Sequence, residues 1–249
     1  MNRENHLLCF VFPMGMEAYP FLHRVEVRKR WRTGSAVYRE AFFEGRDLLI
    51  VRCGVGPEKA AAAVRDLPLN PSAIINAGTA GGLVEGVHRG ELLIAAETVP
   101  GDDPVGVCVW PEALVEALAA ACRKEQVPHR VARLTTVNEP VWHRNDRARL
   151  HAVTGAHAVD MESHAMGLEA MKRDIPFVCL RVISDDLDAG PLPRRMQMKG
   201  LWRSPARLPK IVSNRVRWRI FMRRFQAAVQ MLDPVLVRLI RDFGAKGPL

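Results

Sequence analysis

The chain has 249 residues, 48% of them hydrophobic and 25% charged, with a formal net charge of +9. That length suits one α/β domain with a sizeable core, whereas two domains would each be small. No apolar run reaches membrane-spanning length, and the first residues lack the h-region of a signal peptide, so a cytosolic protein is expected.

Leu7 to Phe12 reads as a first buried strand that breaks at Pro13-Met14-Gly15. Met16-Glu17-Ala18 follows as a short turn of helix, limited by Pro20. Residues Phe21 to Arg32 are basic, and Val37 to Glu44 with Asp47 to Arg52 reads as a hairpin turning near Gly45. Cys53-Gly54-Val55-Gly56-Pro57 then opens an alanine-rich helix, with Pro57 at its first position. A helix opening of this kind favours an anion and partly mimics a dinucleotide fingerprint. The next strand, however, ends in Asn76-Ala77-Gly78 with no acid for a ribose hydroxyl, so a nicotinamide cofactor is not expected. Ala77 to Gly82 is glycine-rich, which suits either close approach of backbone to a ligand or a tight turn at the sheet edge.

Glu91 to Val99 is a further strand, Pro111 to Lys124 a helix, and Val131 to Val137 another strand, which leads into Asn138-Glu139-Pro140-Val141-Trp142. Asp160, Met161 and Glu162 open a helix whose stripe is Met161, Ala165, Leu168 and Lys172. Phe177 to Ile183 is almost continuously apolar and stops at Ser184-Asp185-Asp186, which places carboxylates at the carboxyl edge of a sheet. The five cysteines lie mostly in apolar runs without ligand spacing and read as reduced packing residues. His143, His151, His157 and His164 form no i, i+4 pair, so no metal is expected, and no cofactor.

Four motifs in order carry a resemblance: CGVGPEKAAAA at Cys53 to Ala63, INAGTAGGL at Ile75 to Leu83, MESHA from Met161 and RVISDDLD from Arg181. Together they resemble the nucleoside phosphorylase and nucleosidase superfamily. The nucleosidase branch is closest, namely the methylthioadenosine/adenosylhomocysteine nucleosidases and the hopanoid-associated enzymes that act on adenosylhopane. The resemblance implies a single three-layer αβα domain with a twisted mixed sheet over residues 1 to 249, and 189–249 as a basic, partly helical extension. It implies hydrolytic release of adenine from a 5′-substituted nucleoside, and a homo-oligomer. Phosphorolysis is the alternative, disfavoured because neither PMGMEA nor NAGTAGG supplies an arginine for phosphate.

By the same resemblance Glu17 activates water, where the residue alone would read as a solvated loop acid. Asp185, a carboxyl with a pKa raised by burial, protonates N7 of the base, and Ser184 orients it. Glu162 holds the ribose hydroxyls over Met161, and Thr79, Ala80 and Gly81 line the pocket. Val141 and Trp142 face the purine, or Trp142 is a surface anchor. Arg181 positions the acidic cluster or makes a structural salt bridge. Asp160 departs from the glutamate common in the methylthioadenosine enzymes.

Between Ala189 and Leu232 lie eleven Lys or Arg and no acid, followed by a helical pattern from Phe225 to Ile240. A packed terminal helix accounts for the pattern. The acid-free cations from Arg194 to Arg224 suit peripheral contact with an anionic membrane, in keeping with a lipid-linked nucleoside. A reading of another class is a non-catalytic basic module for nucleic acid or membrane, although it leaves Glu17, Glu162 and Asp185 unused.

Overall fold

The computed structural model describes residues 7–101, 103, 105–187, 219 and 222–243. Most of the basic stretch between Ala189 and Leu232, with the membrane contact read from it, lies outside the described residues. The buried apolar runs become β1 (Leu8–Phe12), β4 (Arg46–Arg52), β5 (Ala73–Gly82) and β10 (Phe177–Asp185), which pair in parallel in the spatial order β4-β1-β5-β10. Burial on both faces explains their unbroken hydrophobicity. β2 (Glu26–Thr33) and β3 (Ala36–Phe43) extend the sheet antiparallel beyond β4. On the other side β6 (Leu92–Pro100) joins β10 to β8 (His129–Thr136), and β9 (Ala158–Asp160) joins β8 back to β5. Five strands, β5, β10, β6, β8 and β9, thereby close into a ring, with β7 (Cys108–Val109) beside β6.

Helices cover both faces, giving three αβα layers. Phe10 and Phe12 of β1 meet Phe21 of α1 (Gly15–Leu22), with ring centroids 5.0 and 6.1 Å apart. Tyr38 points to the opposite face and donates to Ala63 O of α2 (Pro57–Arg65) at 3.0 Å. α3 (Glu112–Lys124) lies on the α1 side with α7 (Leu232–Phe243), while α5 (Ser163–Met171) packs on α2. α4 (Arg144–Thr154) follows β8, and α6 (residues 222–230) precedes α7. The terminal pattern from Phe225 to Ile240 is two packed helices rather than one, parted by a turn at Met231: Val235, Leu236, Leu239 and Ile240 are buried, and Arg24–Asp233, Lys124–Asp242 and Arg238–Glu125 pairs border α7. All five cysteines are buried and free.

Several elements differ from the sequence reading, each for a physical reason. Ala77 to Gly82 is strand rather than turn, because β10 pairs with β5 from Phe177↔Ile74 through to Asp185↔Gly81. Gly78, Gly81 and Gly82 take no positive φ; they leave room for neighbouring side chains. Asp160 and Glu162 do not lie in a helix: Asp160 ends β9, Glu162 is the N-cap, and α5 starts at Ser163. The Asp160 carboxylate accepts the Glu162 and Ser163 N–H groups and so takes up donors that a helix start leaves free. α1 runs through Pro20 for two turns, since one forfeited hydrogen bond is offset by burying Ala18 and Phe21. The basic residues after Phe21 include an edge strand, β2, with exposed charges suited to a sheet edge.

Candidate active site at the carboxyl edge of the sheet

The carboxyl ends of the parallel strands β1, β4, β5 and β10 lie at one edge of the sheet, and the short β9, antiparallel to the end of β5, brings Asp160 and the residues after it to the same place. On one side stands Glu17, carried by the first turn of α1 and only 2% exposed. Its Oε1 accepts Thr79 N at 2.8 Å and Thr79 Oγ1 at 2.7 Å, and its Oε2 accepts Met14 N at 2.8 Å. Burial raises its pKa above the ordinary glutamate value, against the opposing pull of Arg181 and of the Thr79 and Met14 hydrogen bonds.

Behind Glu17 lies the fully buried Arg181 of β10, whose Nη2 meets Asp160 Oδ2 at 2.6 Å and donates to Ser163 Oγ at 2.8 Å. Asp160 further accepts Thr136 Oγ1 at 2.6 Å and the Ser163 hydroxyl. A buried ion pair is tolerable when its remaining oxygens and N–H groups are satisfied. Arg181, however, keeps Nε and Nη1 buried without partners. A Cβ on Gly78 would overlap that Nη1 and come within 3.1 Å of Glu17 Oε1, so the guanidinium and the Glu17 carboxylate converge over this glycine. Burial alone would lower the Arg181 pKa, but the Asp160 and Glu162 carboxylates outweigh it and hold the pKa up. Arg181 thus makes the structural ion pair, and its Nη1 lies toward Glu17.

Glu162 is buried, and its Oε1 accepts Gly56 N at 2.9 Å, which ties the β4–α2 loop to the start of α5. Burial, and next the Asp160 charge, push its pKa up to about 8. Met161 beside it is half-buried, and its N–H donates to Glu162 Oε2 at 3.3 Å.

The surroundings of Asp185 are built differently. Asp185 was expected as a carboxyl with a pKa raised by burial, but the structure leaves it half-buried and pairs its Oδ2 with Arg147 Nη2 of α4, while Ser184 Oγ donates to its Oδ1 at 2.6 Å. The reason is topological, since α4 runs past the ends of β5 and β10 and brings its buried arginine to them. Ser184 thus has the orienting contact expected of it. Thr79 binds Glu17, Ala80 offers its carbonyl to Ser184 Oγ at 3.3 Å, and Gly81 lies against the Asp185–Arg147 pair. Val141 enters through its carbonyl, which accepts Arg147 Nε at 3.0 Å, and Trp142 is half-buried in the loop before α4. Asp186 lies 4.0 Å from Arg89.

Arg147, Gly56 and Met14 escaped the sequence reading. Met14 and Gly56 act through peptide N–H groups, which no side-chain pattern reveals. Arg147 is the one cation of RNDRARLHAVT on the buried side of α4, and no signal in the sequence marks it off from Arg144 and Arg149.

A family model described as the phosphorylase superfamily matches residues 8–212. The chain is 27% identical over 186 residues to the 5′-methylthioadenosine/S-adenosylhomocysteine nucleosidase of Actinobacillus succinogenes, covering 64% of this chain and 77% of the relative. It is 30% identical over 164 residues to that of Marinomonas sp., covering 57% and 70%. Among solved structures, the same nucleosidase from Neisseria meningitidis, in complex with methylthio-immucillin-A, superposes with a TM-score of 0.76 at 19% identity, over 95% of this chain and 99% of the other. Futalosine hydrolase of Helicobacter pylori gives 0.74 at 17% identity, over 94% and 99%.

Proposed function

This chain belongs to the phosphorylase superfamily, and from that premise we propose that it hydrolyses the N-glycosidic bond of a 5′-substituted adenine nucleoside. The observation that carries this reading is Glu17, a buried carboxylate held by three donors beside an arginine edge without partners. A carboxylate with a raised pKa is suited to take a proton from water and repels a phosphate dianion, which favours hydrolysis over phosphorolysis.

In this mechanism water lies between Glu17 and C1′ and attacks as the bond to the base lengthens. Glu162 accepts the ribose hydroxyls and, once ionised by those donors, stabilises the positive charge that develops on the sugar. Asp185 gives a proton to N7, so that adenine leaves neutral. Thr79, Ala80 and Gly81 border the sugar, and Val141 and Trp142 border the base. The relatives that act on methylthioadenosine and adenosylhomocysteine support an adenine nucleoside as the substrate class.

Within this reading the 5′ substituent is a lipid tail, as in adenosylhopane. Support comes from the acid-free run of cations, which suits a cytosolic homo-oligomer resting on an anionic membrane. The test is chromatography of the products formed from adenosine, methylthioadenosine and a 5′-alkyl adenosine, each with and without phosphate. Adenine release that ignores phosphate and is fastest for the alkyl compound is expected. Release that requires phosphate overturns hydrolysis, and no release from any of them overturns the catalytic reading in favour of a basic binding module.

A further inference from the structure

Arg147 is 3% exposed and has no counterpart in the sequence motifs, yet it touches three of the segments that border the base side. Its Nε donates to Val141 O at 3.0 Å, its Nη1 to Gly82 O at 3.2 Å and to Asp186 O at 3.0 Å, and its Nη2 to Asp185 Oδ2. Only the planar fork of an arginine makes contacts in these three directions at once. Gly81 makes the space, because a Cβ there would lie 3.2 Å from Asp185 Oδ2 and 3.3 Å from Arg147 Nη2.

We propose that Arg147 is a positioning residue that makes Asp185 an effective acid, by aiming its carboxyl at the base and by stabilising the carboxylate left behind when the proton has gone. This rests on the nucleosidase reading above. In the step concerned, the Asp185 proton moves to N7 of adenine and the electron pair of the C1′–N9 bond goes to the base. The water oxygen bonds to C1′, and its proton goes to Glu17. Asp185 is left as an anion against a guanidinium already in place, so the charge that develops in the transition state meets a fixed countercharge. Val141, on the same guanidinium, sets the distance from the acid to the loop that borders the base.

Among the described residues the other charges near Asp185 are few. Asp186 follows it on the chain and has Arg89 at 4.0 Å; β5 presents Gly81 without a side chain, and α4 presents Arg147. Neutralising Arg147 therefore removes the one cation among the described residues that is in contact with the acid.

The experiment is kcat/KM for Arg147→Met, Arg147→Gln and Arg147→Lys. Two substrates are compared: the adenine nucleoside that the native enzyme cleaves best, and 4-nitrophenyl ribofuranoside, whose leaving group needs no proton. Both neutral variants are expected to lose about 100-fold on the adenine nucleoside, and at least about tenfold less on the nitrophenyl riboside. The lysine variant should recover about tenfold or more of the loss on the nucleoside, because it keeps the charge. Arg147→Gln reads the same contrast between substrates if Arg147→Met does not fold. Equal losses on both substrates overturn the proposal and leave Arg147 a strut between loops. A native enzyme that releases no base at all sinks the nucleosidase reading instead.

Discussion

The two sides of the cleft hold their carboxylates by different means. Glu17 receives two backbone N–H groups and one hydroxyl, and Glu162 receives peptide N–H groups from Gly56 and from Met161. Peptide donors carry partial charge, so burial remains the largest influence, and both glutamates have raised pKa values. Asp185 instead meets a full guanidinium charge and a serine hydroxyl. Burial keeps Glu17 basic enough to take a proton, whereas the charge of Asp185 is matched by a fixed cation.

Removing one side at a time should break this contrast most visibly. Glu17→Gln is expected to lose about 1,000-fold in kcat, equally on an adenine nucleoside and on 4-nitrophenyl ribofuranoside, because both need the attacking water. Asp185→Asn should lose about as much on the nucleoside but far less on the nitrophenyl compound. Steady-state rates with both substrates decide it, and an Asp185→Asn loss as large on the nitrophenyl compound would place Asp185 outside the acid role. The pH sign follows from the raised Glu17 pKa: the base works only when ionised, so the native rate falls as pH drops through a value above the ordinary glutamate range. Glu17→Gln should abolish that limb.

Glu162 gives a stability counterpart. Its pKa is raised to about 8 in the folded protein, so the stability it adds is complete below the ordinary glutamate value and is lost as pH rises through about 8. Glu162→Gln does not titrate. Thermal melts should therefore show the native protein losing roughly 2–4 kcal/mol relative to the variant between about pH 4.5 and 9. A constant gap across that range would mean that Glu162 is ionised in the empty site.

Gly78→Ala and Gly167→Ala separate site from scaffold. A Cβ at Gly78 would overlap Arg181 Nη1, and one at Gly167 would overlap the Trp110 ring. Both should cost about 1–3 kcal/mol in unfolding titrations, as overpacking does. Only Gly78→Ala should also shift the acidic limb of the rate profile, because only it moves the cation that faces Glu17.

How far the sequence was legible follows from the same residues. Phe10, Ile75 and Leu180 sit in buried apolar runs whose strands could be read directly, and the glycines of NAGTAGG marked a close approach. What the glycines approach could not be read, because Arg181 and Asp185 reach them from a strand about 100 residues later in the chain. Glu162 was legible as an acid, but its place at a helix N-cap depends on Asp160 and on the pairing of β9 with both β5 and β8. Arg147 was illegible because an arginine on a helix is ordinarily a solvated cation, and only tertiary packing buries this one.

The contrast also bears on Trp142. The residue before it, Val141, has its carbonyl fixed by the guanidinium that pairs with Asp185, so the Trp142 ring projects from a loop tied to the acid. If the ring stacks on adenine, Trp142→Ala removes an attraction of roughly 1–3 kcal/mol that acts on bound substrate and transition state alike. KM should then rise about tenfold or more with kcat within about twofold, the signature of a uniform binding contribution. Because Trp142 is only half-buried, the melting temperature should hardly move. A lower melting temperature with an unchanged KM would instead make Trp142 a surface anchor. The base would then be held by Asp185 and the Val141 segment alone, and the base side would rest on the Arg147 fork.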